Sequence, residues 1–216
     1  MRIVTMATVA ALGAAGILTA SIAVGPHAAR AASFNCNQAA APSEFAICGD
    51  PQLSSLDSAI GVAYAQRLAQ EPALRQVQRA WLKARDVGCG HDRACLKRFI
   101  TAQLGWLRSV AETPTALPTL EGSCALTTIS NVGTRLDGMP GSGSAVNMAN
   151  GADQVSYDTI AAIDRSRPGD PVLVCLVSLP RNCPAGDDRG KIYAAANLRT
   201  LGAWSDADSE HMCGGA

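Results

Sequence analysis

Eight cysteines carry most of the reactive chemistry in this chain of 216 residues. They form two groups of four, Cys36, Cys48, Cys89 and Cys95, then Cys124, Cys175, Cys183 and Cys213. Thiols in such number hold metal, run redox chemistry or pair as disulfides. A zinc site needs close C-x-x-C pairs, whereas here eleven, five and seven residues separate the nearest neighbours, so disulfides are expected and metal is not. Gly186-Asp187-Asp188-Arg189-Gly190 lacks the acid-every-second-residue pattern of an EF-hand and the lysine of a P-loop, and reads as a turn. Gly141-Ser142-Gly143-Ser144 is not a nucleophile elbow, and only His211 could serve it as a base in its half of the chain. Glu44, Asp57 and Arg85 could line a ligand site, but charges near helix ends more often cap and pair. His91 reads as an exposed turn residue. No combination of acid, base and nucleophile emerges, so no catalytic residue, cofactor or metal is expected and the chain reads as non-enzymatic.

Disulfides imply an oxidising compartment. Residues 1–31 supply the route: Arg2, then an uncharged run from Ile3 to Gly25, then Ala29-Arg30-Ala31, the small-x-small pattern of signal peptidase sites. The expectation is a cleaved signal peptide, no membrane span afterwards, and export to the periplasm, the cell envelope or the medium. Residues 32–113 hold nine Lys/Arg against seven Asp/Glu, net +2, and residues 114–216 hold seven against eleven, net −4. No basic stripe with interleaved aromatics marks a nucleic-acid site.

The first cysteine group sits among helical signals. Asp50-Pro51 is an N-cap followed by proline at the first helical position, and Leu53, Leu56, Ile60, Tyr64 and Leu68 recur at helical spacing. After Glu71-Pro72, the residues Leu74, Val77, Trp81 and Ala84 or Arg85 continue a similar stripe up to Gly88; Trp81 reads as core. Asp92 caps a third helix bearing Leu96, Phe99, Ile100, Leu104 and Leu107, and a short turn of helix is expected at 42–47. Three amphipathic helices on short connections predict an antiparallel bundle. If the first two long helices are antiparallel neighbours, Cys48 meets Cys89 and Cys36 takes Cys95. The crossed pairing, Cys36 with Cys89 and Cys48 with Cys95, stays open.

Ser33-Phe34-Asn35-Cys36, Ala41-Pro42-Ser43-Glu44-Phe45-Ala46-Ile47-Cys48, Leu53-x-x-Leu56-Asp57, Tyr64, Gln78-x-x-Trp81-Leu82-x-x-Arg85-Asp86, Cys89 and Cys95-Leu96 together resemble the N-terminal domain of LprI-type lysozyme inhibitors. The resemblance spans residues 33–108 and implies a small exported helical domain with paired cysteines. It also implies a partner, lysozyme or another glycan hydrolase.

The second group lies in β-type sequence. Residues 125–129, 145–148, 154–157, 172–179 and 192–198 are candidate strands between turn clusters such as Asn150-Gly151 and Arg167-Pro168-Gly169-Asp170. Val172 to Val177, apolar at every position, predicts a central strand. Cys183 and Cys213 are expected to tie down the C-terminus, leaving Cys124 for Cys175. The predicted class is thus α+β, a disulfide-stapled antiparallel helical bundle followed by a small disulfide-stapled antiparallel β unit. Its expected boundaries are signal 1–31, helical domain 32–112, linker 113–120 and β-rich domain 121–216.

Ser142-Gly143-Ser144-Ala145 resembles the Ser-Gly-Ser-Ala loop that β-barrel lysozyme inhibitors push into the lysozyme cleft, where small hydroxyl residues would bond to the catalytic carboxylates. On that resemblance Ser142 and Ser144 are candidate partner contacts. The expected function is inhibition or binding of lysozyme-like cell-wall hydrolases. The alternative is an envelope module that binds a glycan or an envelope protein without inhibiting.

Overall fold

A computed structural model describes residues 32–109 and 111–215; the signal segment and its cleavage site lie outside them. After a 3₁₀ turn at Cys36–Gln38 come α1 (Pro42–Cys48), α2 (Pro51–Leu68), α3 (Leu74–Cys89) and α4 (Arg93–Arg108). The remainder is β1 (Cys124–Thr134), β2 (Ser144–Met148), β3 (Asp153–Ser156), the short α5 (Ala161–Asp164), β4 (Pro171–Ser178), β5 (Ile192–Asn197) and β6 (Ala203–Ala207). The α+β class therefore holds, with helices first and an antiparallel sheet after them.

Local chemistry sets the helix ends. The Asp50 carboxylate accepts from the Gln52 and Leu53 amides, and Asp92 accepts from Ala94 and Cys95 in the same way. Proline opens both α1 and α2. Gly90, at φ 51°, ends α3, and the helix runs past Gly88 to Cys89. Among the described residues no helix is long and apolar enough to cross a membrane.

The six strands are ordered β3-β2-β1-β4-β5-β6, with every neighbouring pair antiparallel. Strand β1 is longer than its alternating stretch suggests because it serves two neighbours. Its first half pairs with β4 and, past an irregularity between Ile129 and Asn131, its second half pairs with β2. The sheet curls until its outer strands meet around a single side chain. Gln154 of β3 donates to the carbonyls of Tyr193 (2.7 Å) and Asp206 (3.1 Å), and its own oxygen accepts from the indole N–H of Trp204 (2.9 Å).

Strand β4 explains its unbroken apolar run. Val172, Val174 and Leu176 point into the curled sheet with Ile129, Val146, Ile163, Tyr193 and Trp204. Leu173, Cys175 and Val177 face the other way and join Trp81, Leu96, Phe99 and Ile100 of the helices. Fully burying each such side chain contributes roughly 1.5–3 kcal/mol. On β5 the outward residues Ala194 and Ala196 are small, and α3 comes close: a Cβ added at Gly88 would lie 2.8 Å from Ala194 Cβ and 2.9 Å from Val177 Cγ2. The helices and the outer face of the sheet thus share one core, although no disulfide joins the two cysteine groups.

The pairing in the helical part differs from expectation. Cys36 bonds to Cys48 and Cys89 to Cys95, in place of Cys48 with Cys89 and Cys36 with Cys95; the crossed alternative is absent too. Although α2 lies mainly along α4 and its N-cap Asp50 reaches Arg93 beside the α3–α4 turn at 3.7 Å, each cysteine takes a partner close to it in sequence. Each bridge instead closes a local corner, the first clipping the N-terminal segment to α1 and the second holding the α3–α4 turn. In the sheet Cys124 bonds to Cys175, directly opposite it on β4, and Cys183 bonds to Cys213.

Candidate partner-binding site

Of the two serines expected as partner contacts, Ser142 lies in the β1–β2 connection and Ser144 opens β2, and both have internal roles. Ser144 is buried at the start of β2. Its hydroxyl donates to Asp164 (2.9 Å) and accepts from the Ile160 amide (2.8 Å), fixing the entry to α5. The Ser142 hydroxyl accepts from the Leu136 amide at 3.0 Å and shapes the loop from within. Gly143, at φ 116°, is squeezed between them, since a Cβ there would overlap the Ser156 carbonyl.

The loop displays other residues. Leu136 and Met139 are exposed, as is Tyr157 just after β3; Met139 and Tyr157 are 57 % and 58 % accessible. Arg135 binds these segments together. Its guanidinium stacks over the Tyr157 ring at 4.3 Å, donates to the Ser142 carbonyl at 2.8 Å and pairs with Glu210 at 3.4 Å, while its side chain is only 16 % exposed. Sequence reading overlooked this group. Its only signal was an arginine bordering a Gly/Ser loop, and its partners lie far along the chain.

The charged residues noticed in the helical part form internal structure. Glu44 accepts from the Ala40 and Ala41 amides at 2.7 and 3.0 Å, capping α1, and these bonds hold its carboxyl below the ordinary value. Asp57 is buried, accepting from the Ser33 amide (2.8 Å) and hydroxyl (2.6 Å) with Arg85 at 3.6 Å. Arg85 also donates to Asp86 (2.8 Å), which accepts from Ser43 (2.6 Å). This chain of bonds locks the N-terminal segment, α1, α2 and α3 together around Trp81, which is fully buried. His91 is exposed in the α3–α4 turn.

The Gly186–Gly190 turn is likewise a tie. Asp187 accepts from Arg189 at 2.8 and 2.9 Å and from the Gly214 amide at 3.0 Å, next to the Cys183–Cys213 bridge; Arg189 chiefly, then Gly214, hold its carboxyl well below the usual carboxylate range. Asp188 pairs with Lys191, which also reaches Asp208. Among the described residues no group of three or more His, Cys, Asp or Glu could hold a metal ion.

Buried Asp170 anchors the far end of the sheet. It accepts from Arg199 at 2.5 and 2.6 Å and from Asn197 at 2.8 Å, and Arg199 is the main reason its carboxyl stays well below the usual range. These charges therefore serve the fold, and the residues around Arg135 form one of several exposed apolar groups, alongside Phe45, Val62 and Leu120.

No curated protein and no solved structure matches the chain. Residues 36–131 match a family model described as Lysozyme inhibitor LprI. That span takes in α1 to α4, the stretch between α4 and β1, and the first eight residues of β1. Residues 36–131 are thus similar to the LprI lysozyme inhibitors, and β2 to β6 lie outside the match.

Proposed function

We propose that this is an exported, non-enzymatic inhibitor of lysozyme-like cell-wall hydrolases. The observation that carries the reading is the match of residues 36–131 to a lysozyme inhibitor family, on a stretch whose four cysteines are paired. Export is supported by the leader-like sequence before Ala32 and by the pairing of all eight cysteines. A non-enzymatic role is supported by the family match, whose description is that of an inhibitor. Inhibition would work by occlusion: a rigid surface seated over the hydrolase cleft keeps glycan from the paired carboxylates. The test is a turbidity assay in which residues 32–216, oxidised, are titrated into egg-white lysozyme acting on bacterial cell walls. Lysis should fall in proportion to added protein and stop near equimolar ratio. Unchanged lysis at a large molar excess would dispose of the proposal.

A further inference from the structure

We infer that the surface made by the β1–β2 loop and Tyr157 is where a cationic glycan hydrolase docks, an assignment that rests on the inhibitory function proposed above. Leu136 and Met139 of the loop and Tyr157 after β3 are each exposed, and Arg135 joins these two segments to each other and to Glu210. The loop is further pinned by the Leu136 amide on Ser142, the Ser144 amide on the Asp158 carbonyl and the close fit of Gly143. A surface fixed before binding does not have to be ordered on binding, which is how a modest apolar patch gains affinity. Tyrosine, methionine and arginine are also the residue types enriched where proteins meet.

Charge selects the occupant. Asp137 and Asp158 flank the apolar side chains, are exposed, and make no ion pair among the described residues, whereas Arg135 is neutralised by Glu210. Residues 114–216 carry net −4, against +2 for residues 32–113. Negative rim charge draws a cationic partner and raises its association rate. Exposed apolar residues of the helices, such as Phe45 on α1, lie in the positively charged half and lack that steering.

Four proteins spanning residues 32–216 test this with egg-white lysozyme: wild type, Met139→Ser/Tyr157→Ser, Asp137→Asn/Asp158→Asn and Phe45→Ser. Inhibition is measured by lysis, association by surface plasmon resonance at low and high salt, and folding by near-ultraviolet circular dichroism. The apolar double variant should weaken inhibition at least tenfold with its fold intact. The charge variant should slow association several-fold at low salt and flatten the salt dependence, and Phe45→Ser should stay within twofold of wild type. If wild type inhibits and the apolar double variant inhibits equally well, the docking surface is refuted while the function stands. Loss confined to Phe45→Ser would also refute it, moving the contact to the helices. Wild type without effect on lysis, or one retained by insoluble peptidoglycan alone, overturns both the function and this surface.

Discussion

Gly88 is the most sensitive test of whether the helices and the sheet form one cooperative structure. A methyl group there would sit 2.8 Å from Ala194 Cβ and 2.9 Å from Val177 Cγ2, both on packed strands that cannot easily retreat, with Phe99 Cζ at 3.7 Å. Overpacking of this kind costs about 1–3 kcal/mol. Replacing a helical glycine by alanine meanwhile gains about 1 kcal/mol of helix propensity. Gly105, in α4, supplies the control because an added Cβ there meets nothing within 4 Å. Gly105→Ala should therefore stabilise by roughly 1 kcal/mol, and Gly88→Ala should fall below it by the contact cost, about 1–3 kcal/mol. At about 2–4 °C per kcal/mol for a protein of this size, the two melting temperatures should differ by roughly 5 °C. The assay is thermal and urea unfolding of residues 32–216 with disulfides intact, followed by far-ultraviolet circular dichroism and tryptophan fluorescence. Trp81 and Trp106 report the helices and Trp204 the sheet, so a shared core predicts coincident transitions. Equal stabilisation by both substitutions, or separate transitions for the two probes, would refute the docking of α3 on β4 and β5.

Other consequences are open to direct measurement. Non-reducing peptide mapping should recover Cys36 joined to Cys48 and Cys89 joined to Cys95; a peptide joining Cys48 to Cys89 would contradict the local pairing. Arg85→Ala should destabilise by about 3 kcal/mol, since it strands the Asp57 carboxylate in the core, yet leave inhibition per folded molecule unchanged. A selective loss of inhibition in that variant would move the functional site to the helices. Asp170→Asn should cost roughly 2 kcal/mol at neutral pH. Because Arg199 lowers the folded-state value of Asp170, the carboxylate's contribution is complete above its unfolded value of about 4 and is lost as pH falls below it. The variant's melting temperature should accordingly vary less with acidification between pH 5 and 2, and parallel curves for the two proteins would exclude the linkage.

What could be read in advance was what neighbouring residues decide. Asp50, Asp92 and Pro42 mark helix starts because capping is completed within one turn, and Val172 to Val177 announced burial on both faces by lacking any polar position. Strand β6 escaped notice since Ala-Trp-Ser-Asp-Ala has little intrinsic strand preference; it is held by pairing with β5 and by Trp204 reaching Gln154. The helical disulfides join cysteines 12 and 6 residues apart, and helix periodicity carries no signal that separates such local pairs from pairs between helix ends. At the partner surface, the Gly/Ser loop was visible but its orientation was not. Whether Ser144 faces solvent depends on Asp164 and Ile160, which approach only after the sheet curls.

The family match stops at Asn131, partway along β1, whose opening residues pair with Pro171 to Cys175, up to 51 positions later. A fragment cut there would lose every partner of β1 and uncover the side of α3 that rests on Leu173, Val177, Ala194 and Ala196. The recognisable unit of sequence and the smallest unit that can fold are therefore different objects. Truncation partway along β1 should therefore yield aggregation instead of a minimal inhibitor, which size-exclusion chromatography of residues 32–131 would check.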